Sequence, residues 1–407
     1  MARELEDWID SYCEYNFNTE PPYTYHLWSA ISVISSVLQR KCTFEFGSLL
    51  YYPNMYVVLV GPSGESRKGT AMAPALEMLQ DIGINLAAES TTRESLIRAL
   101  NDSKDQIPDI EAGTLTYHSS MTIFSPELAV FLGYQNHQLL SDLTDWYDCR
   151  NKWIYRTKTM GVDEIDGVYV NLYGATTPDL IKTSLPMDAI GGGLTSRIIY
   201  VYEERKGKFV PYPKKGPKVL LDKLMADLQR IHQMRGNFTF TRGFLENWIK
   251  WYTAQEDNPP FQDSHFDGYM ARRPNHVMKL SMVVSASRSD EMQINEYDLD
   301  RAIAILDLTE VKMPSTFSGV GKSPLSDTIS KVMNEIGLKG KRGATKSQLM
   351  DVFYRDVSEW EMDNMLKTLL SMETFGYKLT DGDEIRYVKR STEDERQNSE
   401  PSDEGGE

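Results

Sequence analysis

The stretch VVLVGPSGESRKGTAM, residues 57–72, constrains the chain more than any other. A continuous run of β-branched and apolar residues reads as a strand buried on both faces. Gly61-Pro-Ser-Gly breaks it, and a helical pattern follows. Strand, glycine-rich turn and helix in that order aim backbone N–H groups and a helix N-terminus at one point, which favours an anion. The phosphate-binding pattern of this kind is G-x-x-x-x-G-K-[ST]. Here one residue is added between Gly61 and Lys68, Arg67 stands where the pattern has glycine, and Gly69 displaces the hydroxyl residue. Gly61, Ser63, Gly64, Ser66, Arg67, Lys68, Gly69 and Thr70 form the expected nucleotide-binding set. Lys68 supplies a point charge to the outer phosphates. Thr70, in preference to Ser66, supplies the hydroxyl for Mg²⁺. The competing reading is a glycine-rich turn with no ligand.

Bulk properties narrow the class. A chain of 407 residues is long enough for two or three domains. No apolar run approaches the roughly 20 residues needed to span a bilayer, and the acidic, amphipathic start MARELEDWIDSYCEYN is no signal peptide. Cys13, Cys42 and Cys149 are far apart and odd in number, which suits a reducing cytoplasm and argues against a disulfide framework or zinc site. The net charge of −15 opposes nucleic-acid binding unless basic residues gather in one channel. Part of that charge lies in the polar, acidic tail 391–407, read as disordered.

Periodicity divides the rest. Residues 1–45 read as helices. KCTFEFGSLLYYPNMYVVLVG, 41–61, reads as an outer strand followed by a buried central strand, and residues 46–210 alternate strand and helix and suggest an α/β core with a parallel sheet. The proline- and lysine-rich segment KGKFVPYPKKGPK, 206–218, reads as a linker or domain edge. A helical lid or bundle follows over 211–315. The order helix, helix, hairpin within 316–390 suggests a winged helix.

Three further segments carry chemistry. MTIFSPELAVFL is a strand ending near Glu127, and a nucleotide hydrolase needs a carboxylate there to orient water. Ser125 and Pro126 precede it, so the common acidic pair is incomplete. The plain alternative is a glutamate favoured by a helix dipole. In VNLYGATTP, Thr176 or Thr177 can reach the γ-phosphate or the water, while Thr177 before Pro178 also fits an N-cap. In GGGLTSRIIYVY, Arg197 follows a glycine run and can act as a finger from a neighbouring subunit; a surface ion pair is the plainer fate.

The order PNMYVVLVGPSGESRKGTA, YRTKTMGV, NLYGATTPDLI, GGGLTSRIIYVYEE resembles a family of phage and plasmid replication-associated ATPases. More distantly it is similar to AAA+ helicases of the minichromosome maintenance and superfamily 3 type. The resemblance covers about residues 20–310. It implies an AAA+ P-loop core that binds ATP and Mg²⁺ at subunit interfaces of a homo-oligomeric, hexameric ring. By position it makes Lys68 the P-loop lysine, Glu127 the Walker B glutamate, Thr176 or Thr177 sensor 1, Arg197 the arginine finger, and Arg272 or Arg273 sensor 2. It also implies that the hairpin at 153–171 holds single-stranded DNA, with Lys152, Arg156 and Lys158 giving charge and Trp153 and Tyr155 stacking on bases. The plain alternative is an edge hairpin whose lysines discourage aggregation. The departures at Gly69 and Ser125 leave the metal ligand open, and Asp145 or Asp148 are substitutes. The leading expectation is an ATP-driven helicase or translocase of phage-type replication in the bacterial cytoplasm, working with other replication proteins and without a membrane. The alternatives are an ATP-controlled origin-binding protein, contacting phosphates through Lys339, Lys341, Arg342 and Lys346, or a helicase loader.

Overall fold

The computed structural model describes residues 3–89, 91–109, 114–134, 136–157, 161–184, 192–257, 260–261, 263–317, 326–372, 374–379 and 384–389. The chain divides into two units, 1–320 and 321–407. The larger begins with helices α1 (Trp8–Tyr15) and α2 (Tyr23–Leu38), then strands β1 (Cys42–Phe46), β2 (Leu49–Tyr51) and β3 (Tyr56–Val60). Helices α3 (Lys68–Ile82) and α4 (Arg93–Asp102) precede β4 (Lys104–Asp109) and β5 (Thr114–Ser125). Next come α5 (Leu128–Leu132), α6 (His137–Tyr147), the hairpin β6 (Lys152–Thr157) and β7 (Gly161–Asp166), β8 (Val168–Thr176), α7 (Pro178–Ser184) and β9 (Ile198–Tyr202). The rest of the unit is α8 (Lys218–Gln233), β10 (Gly236–Phe240), α9 (Arg242–Asp257), α10 (Asp267–Arg288), β11 (Gln293–Ile294) and α11 (Glu296–Glu310).

The main sheet has the order β4-β5-β8-β3-β9. Strands β5, β8, β3 and β9 run parallel, and β4 is antiparallel to β5, so the sheet is mixed where the sequence suggested a parallel one. All five residues of β3 and all nine of β8 are buried, which is why both read as unbroken apolar runs. Register brings the carboxyl ends together: Val60 is level with both Thr176 and Tyr202, and Ser125 with Gly174.

A second sheet, β11-β10-β1-β2, corrects the reading of residues 42–51. They do not flank β3. Instead β1 pairs with β10, and Phe44 and Phe46 pack with Phe240 and Phe244 at centroid distances of 5.5 to 6.3 Å. Alternation cannot tell which sheet a strand joins; a partner almost two hundred residues away settles it. The same pairing merges the segments 1–45, 46–210 and 211–315 into one unit. Helix α2 lies inside it, buried along almost its whole length, as a helix apolar on nearly every face must be. Trp8 Nε1 donates to Leu224 O at 2.8 Å, and Trp28 Nε1 to Thr309 Oγ1 at 2.8 Å, so both indoles are satisfied by helices from the far end of the unit.

The smaller unit holds α12 (Ser326–Leu338), β12 (Ala344–Thr345), α13 (Lys346–Phe353), α14 (Glu359–Leu370), β13 (Phe375–Leu379) and β14 (Ile385–Lys389). Its sheet order is β12-β14-β13. Capping boxes at Thr345/Gln348 and Ser358/Glu361 start α13 and α14. Val332, Ile336, Leu349, Met362 and Leu366 belong to its own core. The tail 391–407 lies outside the described residues. Among the described residues no helix is long and apolar enough to cross a membrane.

Candidate functional site

The loop between β3 and α3 is shaped by space and by backbone conformation. A Cβ on Gly61 would lie 2.3 Å from Glu203 O, 2.5 Å from Ser66 Oγ and 2.8 Å from Tyr25 OH, so only glycine fits. Its amide donates to Thr176 O at 3.4 Å, and the Tyr25 hydroxyl donates to Val60 O at 2.7 Å. Ser66 is buried, with its hydroxyl turned under the loop toward Pro62 O. Arg67 sits at the N-cap of α3 with φ +60°, in the left-handed region that glycine enters without cost. Where the general pattern has glycine, Arg67 thus takes a conformation that glycine adopts readily. Lys68 is the first helical residue.

Lys68 Nζ folds back and donates to Gly61 O at 2.6 Å and Pro62 O at 3.1 Å, carbonyls of its own loop. Burial lowers its pKa, and the negative charge of Glu127 opposes that shift. The two groups therefore sit in one another's field, although β8 lies between their strands. Glu127 is exposed and stands at the N-cap of α5, where its side chain makes no capping bond. Among the described residues its carboxylate makes no hydrogen bond or ion pair. Thr176 ends β8 and is buried. Thr177 Oγ1 accepts from Leu180 N at 3.3 Å, so Thr177 is the cap of α7 and Thr176 is the residue left at the strand end.

Thr70 is not brought to this point. It lies two residues beyond Lys68, about 200° round the helix at about 100° per residue. It lines a groove of roughly 610 Å³ with Tyr15, Ala73, Glu77 and Lys214, and neither Lys68 nor Glu127 lines that groove. The single-residue displacement by Gly69 turns the hydroxyl to another face. Asp145 and Asp148 do not replace it. Asp145 accepts from Arg150 at 2.9 Å, and Asp148 from Arg197 at 2.8 Å, at the amino ends of the strands. Among the described residues no three His, Cys, Asp or Glu side chains gather as a metal site. Mg²⁺ that arrives on a triphosphate needs only one or two carboxylates, and Glu127 is the exposed carboxylate that follows β5 at this end of the sheet.

The arginines lie elsewhere. Arg197 immediately precedes β9, whose first residue is level with Tyr56 at the start of β3. The loop begins a full strand away, about 16 Å at about 3.3 Å per residue. Its side chain is 7% exposed, bonded to Asp148 and to Gly193 O, and so is a held group where the glycine run suggested a free one. Arg272 Nε donates to Ser196 Oγ at 3.0 Å beside it. Arg273 is buried, bonded to Glu310 at 2.8 Å and Asp307 at 2.5 Å, over the Trp251 ring. Arg273 therefore ties α10 to α11 and is corrected to a core residue. The structure brings none of the three to the loop of its own chain.

The hairpin β6–β7 also divides. Trp153 and Tyr155 face inward: Trp153 meets Trp146 edge-on at 5.6 Å and stacks on Tyr155, whose ring also carries Arg93 at 4.8 Å. Both are half-buried against the core, on the face opposite Lys152 and Arg156. Lys152 and Arg156 are exposed on the other face, and Lys152 pairs with Glu164. Lys158 lies outside the described residues. In the smaller unit Lys346 is paired with Glu359 and Asp363, and Lys339 with Glu335, while Lys341 and Arg342 are exposed.

Local patterns did not reveal the groups that brace the loop, Tyr25, Glu203 and Glu20, because each comes from a distant segment. What fold and site together define is an α/β protein with mixed sheets, a lysine-bearing strand-to-helix loop after β3 and an exposed glutamate after β5. No family model matches the chain, and no curated protein sequence matches it.

Proposed function

We propose that this chain binds ATP with Mg²⁺ at the loop 61–68 and hydrolyses it, as the motor of a ring-forming DNA helicase or translocase of phage-type replication. The observation that carries the reading is the placement of Lys68 after β3 and Glu127 after β5, at the carboxyl ends of two parallel strands separated only by β8, with Thr176 at the end of β8. One strand, β8, separates the strand before the lysine loop from the strand before Glu127, which supports a P-loop ATPase reading, while the antiparallel β4 departs from the parallel sheet that reading expects. The smaller unit is read as a winged helix from its helices and its β13–β14 hairpin.

Bound Mg²⁺ supplies charge neutralisation on the phosphate oxygens. The chain's own groups do the rest. Lys68 exchanges two loop carbonyls for phosphate oxygens, and the N–H groups of the loop and first turn of α3 point at the same anion. The Glu127 carboxylate accepts a hydrogen bond from the attacking water and draws off its proton. Arg197, a strand length away in its own chain, can meet a γ-phosphate only across a subunit boundary, and Asp148 must then yield it. The DNA part rests on motif order and on the exposed face of β6–β7 that carries Lys152 and Arg156.

DNA-stimulated ATP hydrolysis that disappears in Lys68→Ala and Glu127→Gln is the expected result. Absence of hydrolysis with every DNA tried would end the translocase reading. Strand displacement on 3′- and 5′-tailed substrates separates a helicase from a loader. Solution mass with a non-hydrolysable ATP analogue tests the ring; a persistent monomer removes Arg197 as a finger.

A further inference from the structure

Arg67 is the one loop residue whose identity runs against its backbone. At φ +60° an arginine carries a conformational cost of roughly 1 kcal/mol that glycine avoids. Such cost persists where a side chain is used. The use visible in the structure is thin. Nε donates to Glu20 Oε2 at 2.8 Å, and the two terminal guanidinium nitrogens have no partner among the described residues. The side chain is 43% exposed, and Glu20 is 16% exposed.

Glu20 does not depend on Arg67. Its other oxygen accepts from Lys206 Nζ at 2.6 Å and Val210 N at 3.4 Å, and its backbone carbonyl accepts from Gly207 N at 3.0 Å. The segment 206–210 is thereby tied to the turn before α2 with or without the arginine. The hydrogen bond from Lys206 is the largest influence holding the Glu20 carboxyl down at about 2, ahead of that from Arg67. A carboxylate already neutralised by a lysine is a weak hold on a second cation, and exposed pairs of this kind contribute little.

We infer that Arg67 is a second phosphate-binding cation of the loop: it rests on Glu20 when no anion is present and turns its free guanidinium edge to a bound triphosphate. It is covalently next to Lys68, at the N-terminus of α3, where an anion is held. A guanidinium edge presents two parallel N–H donors, which match two oxygens of a phosphate. The inference rests on the phosphate-loop reading and adds a side chain that the general pattern lacks, since glycine stands there.

The test measures binding of ATP and of inorganic tripolyphosphate by calorimetry, and thermal unfolding of the ligand-free protein. Arg67→Gly is expected to unfold at the same or a higher temperature, because it relieves the left-handed strain. Its affinity for both ligands is expected to fall about tenfold, equally for the two, because the lost contact is to phosphate. Glu20→Gln, which weakens the resting partner, is expected to raise both affinities about two- to threefold. A purely structural Arg67 gives the opposite pattern: affinity in Arg67→Gly within about twofold of the parent, or falling only together with thermal stability, and either result overturns the inference. Lys68→Ala separates the two levels. If it abolishes binding while Arg67→Gly does nothing, Arg67 alone is misassigned. If Lys68→Ala also leaves tripolyphosphate binding intact, the phosphate loop and Arg67 fall together.

Discussion

At the carboxyl ends of β3, β5 and β8, polar groups stand with little to hold. Lys68 rests on carbonyls of its own loop, and Glu127 occupies a cap position without capping. Toward the opposite end of the sheet, several polar groups are buried and hydrogen-bonded. Arg197 is locked to Asp148, and His276 lies between the Tyr147 hydroxyl and Ser196 O. Lys279 is fully enclosed, bonded to Asn54 and set over the Tyr147 ring at 4.3 Å, and burial pushes its ammonium down to about 8. Both ends are rich in charge. They differ in what a ligand could displace: the loop carbonyls on Lys68 are cheap to exchange, the Arg273–Glu310 and Lys279–Asn54 contacts lie in the core, and Arg197, whose partner Asp148 is 43% exposed, stands between the two cases.

The sharpest way to break this contrast is at Arg273, which belongs with the core contacts. Arg273→Ala leaves Glu310, 2% exposed, as an unpaired buried charge. A loss of about 3–5 kcal/mol in urea unfolding is expected, with hydrolysis per folded molecule unchanged. A loss near zero would mean that the cluster is not core.

Acid comes next in size. His276 is neutral in the fold, pushed down to about 3 by burial, against 6.5 when exposed. Between those values the unfolded chain binds a proton that the folded chain refuses. Its contribution is therefore complete above pH 6.5 and is lost as pH falls toward 3, on the order of a few kcal/mol. His26 and His118, both lowered to about 4, act in the same sense. The urea midpoint should drop between pH 6.5 and 4, and His276→Gln should flatten part of that slope.

Glu127→Gln probes the other end. Hydrolysis should fall about 100-fold, while stability stays within about 0.5 kcal/mol because the side chain caps nothing. A stability loss near 1 kcal/mol with full activity would return Glu127 to a helix-end role. Gly61→Ala, forced against Glu203 O, Ser66 Oγ and Tyr25 OH, should cost about 1–3 kcal/mol and weaken nucleotide binding by distorting the loop. The smallest effect is at the paired threonines. Thr177→Ala should cost about 1 kcal/mol for the lost cap with hydrolysis retained, while Thr176→Ala should lower hydrolysis.

Local sequence made the loop, its strand and its helix legible, because β-branched residues, Gly61 and a helical pattern act within a few residues of one another. The Thr177 cap and the helix–helix–hairpin order of the smaller unit were legible for the same reason. The destination of Cys42–Tyr51 was not, since period-two alternation is the same whichever sheet a strand joins. Nor was the inward turn of Trp153 and Tyr155. Period-two alternation puts them on the strand face opposite Arg156, but only Trp146 and Arg93 define which face is inside.

The residues alone thus settle where the chain must turn, where a helix can start, and which side chains could bind phosphate. Which of those side chains keep that freedom is a matter of packing. Lys68 and Glu127 keep it because they follow the carboxyl ends of β3 and β5, where Lys68 meets carbonyls of its own loop and Glu127 is exposed. Arg273 loses it because α11 lays Glu310 and Asp307 against its guanidinium. An arginine's charge is written in its side chain, but what neutralises it comes from whichever helix the fold packs against it.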